Sequence, residues 1–196
     1  MDLVYLLQNY VNRPNVPFKL RTASPDDIPA IIRLQEQIWE PTYRSILAPD
    51  QIAYMFTMMY SPEALQEQMT TRGHTFVLLE IEHDDQAPEL RGFAAFSAYR
   101  PDDKSFKLHK IYVLPATQGS GLGRALLTEV ENRCRAKGGE ELLLNVNRYN
   151  KARTFYEKVG FRVVGEEDIA IGPYWMNDYS MSKSLVDQSA HNSASV

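Results

Sequence analysis

The feature that most narrows the fold is a run of three glycines in five residues, Gly119-Ser120-Gly121-Leu122-Gly123, set between a strand pattern and a helix pattern. Phe106 to Leu114 reads as a strand. Downstream, Leu122, Ala125, Leu126, Val130 and Cys134 recur at helical spacing, and Gly138-Gly139 stops that helix. Glu141 to Asn147 follows, with Leu142-Leu143-Leu144 as the continuous apolar run of a strand buried on both sides. A strand–helix–strand unit of this kind is a parallel step and crosses over right-handed. Glycine lets backbone N–H groups turn inward, and the helix that follows adds unpaired N–H groups and the positive end of its dipole. The chemistry permitted is anion binding. The plainer alternative is a tight turn that needs glycine only for its backbone; the placement between strand and helix favours the anion site.

The rest of the chain surrounds this unit with antiparallel patterns. Phe18 to Thr22 alternates like a first strand. Ser24-Pro25-Asp26-Asp27 opens a helix, with a capping residue, a proline at the first helical position and carboxylates at the positive dipole end. Ile28, Ile31, Ile32, Gln35 and Ile38 form its buried stripe, and Pro41 ends or kinks it. Residues 42 to 72 read as further helix, restarted at Ser61-Pro62-Glu63. Thr75 to Ile81 and Gly92 to Tyr99 form a hairpin across a polar turn, His83 to Glu89, and Pro101-Asp102-Asp103 turns the chain into the third strand. Asn150 to Val159 is a helix, stopped at Gly160. Phe161 to Val164 and Trp175 to Met181 close the order, which is mixed α/β. Residues 1–16 read as an amphipathic arm, 17–186 as one domain, and 187–196 as a disordered polar tail.

Composition removes several classes. A chain of 196 residues suits one domain. Its single cysteine excludes an internal disulfide or a multi-cysteine zinc site, which fits a reducing compartment. His74, His83 and His191 have no metal-ligand spacing, so no metal is expected. A net charge of −4 disfavours a non-specific nucleic-acid binder. No apolar run approaches a bilayer span, and residues 1–13 lack a basic start and a signal-peptide core. Cytoplasmic location without membrane or nucleic-acid partners is the expectation.

The ligand of the glycine turn narrows by elimination. A nucleoside-triphosphate loop ends Gly-Lys-Ser/Thr, whereas Gly123 precedes Arg124 and Ala125. A dinucleotide fold wants an acidic residue after the next strand, where this chain has Asn145 to Asn147. Gln118-Gly-Ser-Gly-Leu-Gly-Arg124 instead resembles the pyrophosphate motif of the GCN5-related N-acetyltransferases. The segment Asn147-Arg-Tyr-Asn150-Lys-Ala152-Arg-Thr-Phe155-Tyr156-Glu-Lys158-Val-Gly160-Phe161 is similar to a later segment of the same family. The resemblance covers residues 17 to 186. Ile171 to Lys183 further resembles the bacterial spermine/spermidine acetyltransferase branch, more loosely.

The resemblance implies an α/β fold with a mixed, mostly antiparallel sheet whose central parallel pair splays to hold coenzyme A, flanked by helices. It implies acetyl-CoA as cosubstrate, with its pyrophosphate on Gln118, Gly119, Ser120, Gly121, Leu122, Gly123 and Arg124. The pantetheine arm would pair with the backbone of Ile111, Tyr112 and Val113, while Asn150 bonds an arm amide and Lys158 joins the cofactor residues. Tyr156 matches the family's general acid toward the leaving thiolate; core packing is its plain alternative. His109 stands where the family often has a glutamate and is a candidate base, with water relays as an equal alternative. Glu40, Tyr43, Tyr174 and Trp175 are candidate acceptor-site residues. Cys134 reads as packing. The function implied is transfer of an acetyl group to a primary amine by direct attack in a ternary complex. The acceptor is a small molecule, with a polyamine among the candidates, or a protein amine, and a homodimer is open. A non-catalytic acyl-CoA sensor on the same fold is the alternative, and a dinucleotide oxidoreductase a third.

Overall fold

A computed structural model describes residues 17–186 apart from 85, 101–103 and 118. The expected N-terminal arm, the Pro101-Asp102-Asp103 turn and the polar tail lie outside the described residues. Contacts divide the chain into two compact units. One runs to Phe96 and includes Lys110–Val130; the other comprises Ser97–His109 and the chain from Glu131 onward.

In the first unit, β1 (Phe18–Thr22) pairs antiparallel with β2 (Thr75–His83), from Phe18↔Ile81 to Thr22↔Val77. Arg21 on β1 is held by the Asp27 carboxylate at 2.7 and 2.8 Å and by Glu80 at 2.9 Å. Asp27 also accepts the Ser24 N–H at 2.8 Å, so one carboxylate secures both the strand and the turn at Pro25–Asp27. The Arg21 hydrogen bonds hold the Asp27 carboxyl below its usual range. Helix α1 (Ile28–Tyr43) buries Ile28, Ile31, Leu34, Gln35, Ile38 and Trp39. Ile32 is only half-buried, because the stripe turns toward Leu34 and Trp39. Pro41 does not end α1. It sits in the last turn, where it removes one i→i−4 bond and the helix goes no further than Tyr43.

Helices α2 (Pro49–Tyr60) and α3 (Pro62–Thr70) follow, and Ser61 Oγ accepts the Ala64 N–H at 3.2 Å to start the second. Trp39 Nε1 donates to the Ile52 carbonyl at 2.9 Å, fastening α1 to α2. β3 (Gln86–Ala98) pairs with β2 as far as His83↔Gln86, so the expected turn over His83 to Glu89 is shorter than its polarity implies. His83 and Gln86 to Glu89 are exposed residues at the ladder's end, where polar side chains cost nothing.

In the second unit, β5 (Glu141–Asn147) pairs parallel with β4 (Ser105–Val113) from Ser105↔Glu141 to Leu108↔Leu144. Asn145, Val146 and Asn147 continue pairing with β7 (Tyr174–Ser184) as Asn145↔Ser180, Val146↔Tyr179 and Asn147↔Asp178. β5 alternates buried and half-exposed residues, so Leu143 is less buried than the apolar run implies. After α5 (Ala152–Lys158), β6 (Arg162–Ile171) pairs with β7. β6 is longer than expected, and β7 begins one residue earlier than expected, at Tyr174, and runs on to Ser184. The strand order is β1-β2-β3-β4-β5-β7-β6. β6 is therefore an edge strand, and its run Gly165-Glu166-Glu167-Asp168 lacks apolar alternation because most of it faces solvent.

Helix α4 (Leu122–Ala136) connects β4 to β5, and Gly138, at φ +79°, ends it with Gly139 N–H bonded to the Cys134 carbonyl at 2.8 Å. A Cβ on Gly139 would lie 2.7 Å from Phe106 Cδ2 and 2.8 Å from the Cys134 oxygen. Gly139→Ala must therefore displace backbone as well as a ring, and it is expected to destabilise the fold by ~1–3 kcal/mol, the usual cost of overpacking. A denaturant midpoint equal to that of the parent would contradict this packing.

Candidate active site

The glycine turn grows out of β4 through a short helical turn at Pro115–Thr117. Thr117 Oγ1 donates to the Leu114 carbonyl at 2.7 Å and Ser120 Oγ to the Thr117 carbonyl at 2.5 Å, so both hydroxyls shape the loop. Gly119 and Gly121 adopt φ +83° and +84°, a region L side chains rarely enter. The Ala125 N–H bonds the Gly121 carbonyl at 3.0 Å, which makes Gly121 the entry to α4. The next N–H groups, those of Leu122, Gly123 and Arg124, begin the helix without intrahelical acceptors. The Leu122 side chain is buried, so only its backbone can serve a ligand. A Cβ on Gly123 would meet nothing nearer than Val113 Cγ2 at 4.0 Å. Protein packing does not demand glycine there, which fits a position kept bare for close approach. Arg124 is exposed, and Gln118 lies outside the described residues.

Behind this turn, Ile111, Tyr112 and Val113 are half-buried on β4. Gly92 allows their close approach, since a Cβ there would fall 2.8 Å from the Tyr112 oxygen and 2.9 Å from Val113 Cγ1. Tyr112 meets Tyr43 hydroxyl to hydroxyl at 3.2 Å, and Tyr43 packs on Trp39 with centroids 4.4 Å apart. Glu40 is not part of that contact. It lines a cavity of about 450 Å³ with Glu36, Trp39, Arg44, Ile52 and Phe56. The Lys110 ammonium rests 5.2 Å from the Tyr60 ring centroid, and burial, with Arg72 nearby, pushes it down to about 8. Burial, Lys110 and Arg72 push His74 down to about 4. Lys110 and His74 carry no local sequence signal, because strand and helix ends distant in the chain bring them together.

In the second unit, Asn147 Oδ1 accepts the Tyr149 N–H at 3.0 Å and Asn150 Oδ1 the Ala152 N–H at 2.9 Å. Asn150 thus starts α5 with its carbonyl oxygen. Tyr156 is 8% exposed, edge-on to Phe155 and Phe161 at 5.5 and 5.8 Å. Burial pushes its phenol up, so it keeps its proton at neutral pH. Lys158 is exposed at the end of α5. His109 is exposed, with Nε2 2.9 Å from Ser97 Oγ. Tyr174 is half-buried and Trp175 59% exposed, beside the tight turn between β6 and β7. Cys134 is buried and its thiol pushed up to about 12, which leaves it protonated and inert. Sequence reasoning gave no role in the reaction to Lys107, Asn145 or Glu167, which gather on one face of this unit with Asp178. Among the described residues, no group of His, Cys, Asp and Glu is placed to hold a metal ion, and no helix is long and apolar enough to cross a membrane.

A model of the acetyltransferase (GNAT) domain matches residues 43–182. An uncharacterized N-acetyltransferase of Mycobacterium tuberculosis is 31% identical over 141 residues, 71% of this chain and 86% of that protein. A spermidine N1-acetyltransferase of Thermoplasma acidophilum is 27% identical over 147 residues, 74% of this chain and 88% of that protein. The crystal structure of the PaiA N-acetyltransferase from Thermoplasma acidophilum in complex with coenzyme A superposes with a TM-score of 0.68. It is 27% identical, over 86% of this chain and 99% of that one. The chain belongs to the GCN5-related N-acetyltransferase family, and it is an N-acetyltransferase.

If the glycine turn seats a pyrophosphate, Gly121→Glu places both a strained backbone and a like charge in that seat. Acetyl-CoA affinity measured by calorimetry should fall at least a hundredfold, with the circular dichroism spectrum retained. An unchanged affinity would remove the assignment.

Proposed function

We propose that the chain transfers the acetyl group of acetyl-CoA to a primary amine, with polyamines as the preferred acceptors. The observation that carries the donor half is the pair of left-handed glycines at the start of α4, joined to the bare Gly123. Unpaired amides at a helix N-terminus suit a pyrophosphate. The backbone of Ile111, Tyr112 and Val113 would receive the pantetheine arm as an added strand. Asn150 keeps its amide N–H groups for an arm carbonyl, since its Oδ1 is engaged by Ala152.

The reaction is direct attack of a neutral amine on the thioester carbonyl. The carbon–nitrogen bond forms, the carbon–sulfur bond breaks, and the thiolate must gain a proton. Tyr156 is the donor in this reading: its buried phenol stays protonated until a stronger base appears beside it. A backbone N–H on β4, that of Val113, would stabilise the oxyanion. The polyamine preference rests on the chain's net charge of −4, on the exposed Trp175, which pairs with Ala170 on the acidic strand β6, and on the spermidine-acetylating relative. Carboxylates pair the ammonium groups, and an aromatic face offers ~0.5–2 kcal/mol to each cation.

The test is release of free coenzyme A from acetyl-CoA across a panel of amines. Spermidine or spermine should show a kcat/KM at least tenfold above that of a neutral monoamine, and the preference should shrink as salt rises. Equal turnover of both at low ionic strength would remove the polyamine assignment. Binding of acetyl-CoA without release for any amine would remove the catalytic one and leave an acyl-CoA sensor. Tyr156→Phe should lower kcat by ~10²–10⁴ with acetyl-CoA affinity unchanged. An unchanged kcat under chemistry-limited conditions would return Tyr156 to the core.

A further inference from the structure

Among the described carboxylates, Asp178 stands apart by a buried oxygen with no hydrogen-bond partner. That oxygen is Oδ1, and the residue is 6% exposed. Its position explains the cost. On β7 it pairs with Asn147 on one side and with Glu167 on the other, so two carboxylates stand directly opposite across the β6–β7 ladder. Like charges at that spacing repel.

The neighbours divide the work unequally. Glu167 is satisfied: Ser180 Oγ donates to its Oε1 at 2.6 Å and Asn145 Nδ2 to its Oε2 at 3.1 Å. Those two bonds hold its carboxyl below the usual range. Lys107, on β4, donates to Asn145 Oδ1, and Arg148, in the turn after β5, is committed to Asp168 at 2.8 Å and Glu166 at 3.4 Å. Asp178 is left as the group with spare basicity. Burial and the Glu167 charge raise it to about 6, against the opposing pull of Lys107 and Arg148. It is ionised at neutral pH and a stronger base than a solvated carboxylate.

We propose that Asp178, through its unpartnered oxygen, is the general base that takes the proton from the acceptor ammonium, with Lys107 and Glu167 as positioning residues that tune it. This inference rests on the acetyltransferase reading above, and it assigns the step for which His109 was a candidate. His109 is exposed and bonded to Ser97, whereas Asp178 is buried and one of its oxygens has no hydrogen-bond partner among the described residues. The ammonium gives one proton to the Asp178 carboxylate. The neutral amine attacks the thioester, carbon–sulfur cleavage releases the thiolate, and Tyr156 protonates it and recovers a proton from the new amide nitrogen. The proton on Asp178 passes to water, so each turnover yields amide, free thiol and one proton. The same carboxylate favours a cationic amine over a neutral one, which joins the base to the acceptor class.

The experiment is the pH dependence of kcat/KM for coenzyme A release, with wild-type protein and three variants. The wild type should lose activity on the acid side with an apparent pKa near 6. Asp178→Asn should lower kcat/KM by ~10²–10⁴ and abolish that limb, with acetyl-CoA affinity by calorimetry within about twofold of wild type. Glu167→Gln removes a repelling charge and should move the limb to lower pH. Lys107→Met removes an attracting one and should move it to higher pH. A purely structural Asp178 would not produce opposite shifts. A limb unmoved by both neighbours, or wild-type rates in Asp178→Asn, overturns the proposal; should Asp178→Asn fail to fold, the two neighbour variants decide. A wild type that releases no coenzyme A with any amine fails the proposed function itself, a separate result that takes this inference with it.

Discussion

Four residue pairs on two parallel strands set much of the second unit. Ser105↔Glu141 to Leu108↔Leu144 fix the register of β4 on β5, and a parallel pair cannot be closed by a tight turn. The connection is α4, whose end is drawn against β4 where Gly139 meets the Phe106 ring. Because residues in register share a face, Phe106, Leu108, Leu142 and Leu144 go inward together, all below a tenth exposed. The same register puts Lys107 on the other face with Leu143 and Asn145. β7 then carries the arrangement outward through Asn145↔Ser180 and Asn147↔Asp178, and β6 brings Glu167 opposite Asp178. A slip of one residue would exchange the two faces and bury Lys107 in the apolar layer.

The sequence shows this construction unevenly, for physical reasons. The glycine turn is legible because the backbone conformations at Gly119 and Gly121 restrict residue choice locally. The helix stripe through Ile28, Ile31 and Ile38 is legible because burial repeats at 3.6 residues, yet Trp39 escapes it; its indole fills the α1–α2 contact and its N–H reaches Ile52. β6 is read short because an edge strand needs little apolar surface, and acidic residues hide its period. The hairpin of β2 and β3 is read with too long a turn for the same reason: its outer rungs are solvated.

The candidate site follows the same division. Gly121 can be picked out from the local glycine pattern, and Asn150 and Tyr156 through the family resemblance of the segment that carries them. Lys107, Lys110 and Glu167 cannot, because their chemistry comes from pairings with remote strands and helices. Asp178 lies between. Its acidity marks it as a possible partner for a cation, but its burial and the Glu167 carboxylate opposite it exist only in the folded ladder. Tyr43 and Glu40, adjacent candidates in the sequence, part in the fold: Tyr43 reaches the Tyr112 hydroxyl, and Glu40 lines a cavity with residues of α1 and α2.

Asp27 and Asp178 put opposite signs on the same electrostatics. The Asp27 carboxyl is held below its unfolded value by Arg21, so it adds stability above the unfolded pKa and loses it as pH falls. Asp178 is raised from 3.8 to about 6 by burial and by Glu167. The folded state therefore binds its proton more tightly than the unfolded chain. Its contribution is most favourable at low pH, and it declines as pH rises through that window. At neutral pH, about two units of displacement correspond to roughly 3 kcal/mol against folding. A domain stable by about 5–15 kcal/mol carries such a cost as a large fraction of its margin. An asparagine would occupy nearly the same volume without the charge. A buried, half-unpartnered carboxylate is therefore poor structural material, and the proposed proton transfer would turn its raised basicity into an advantage.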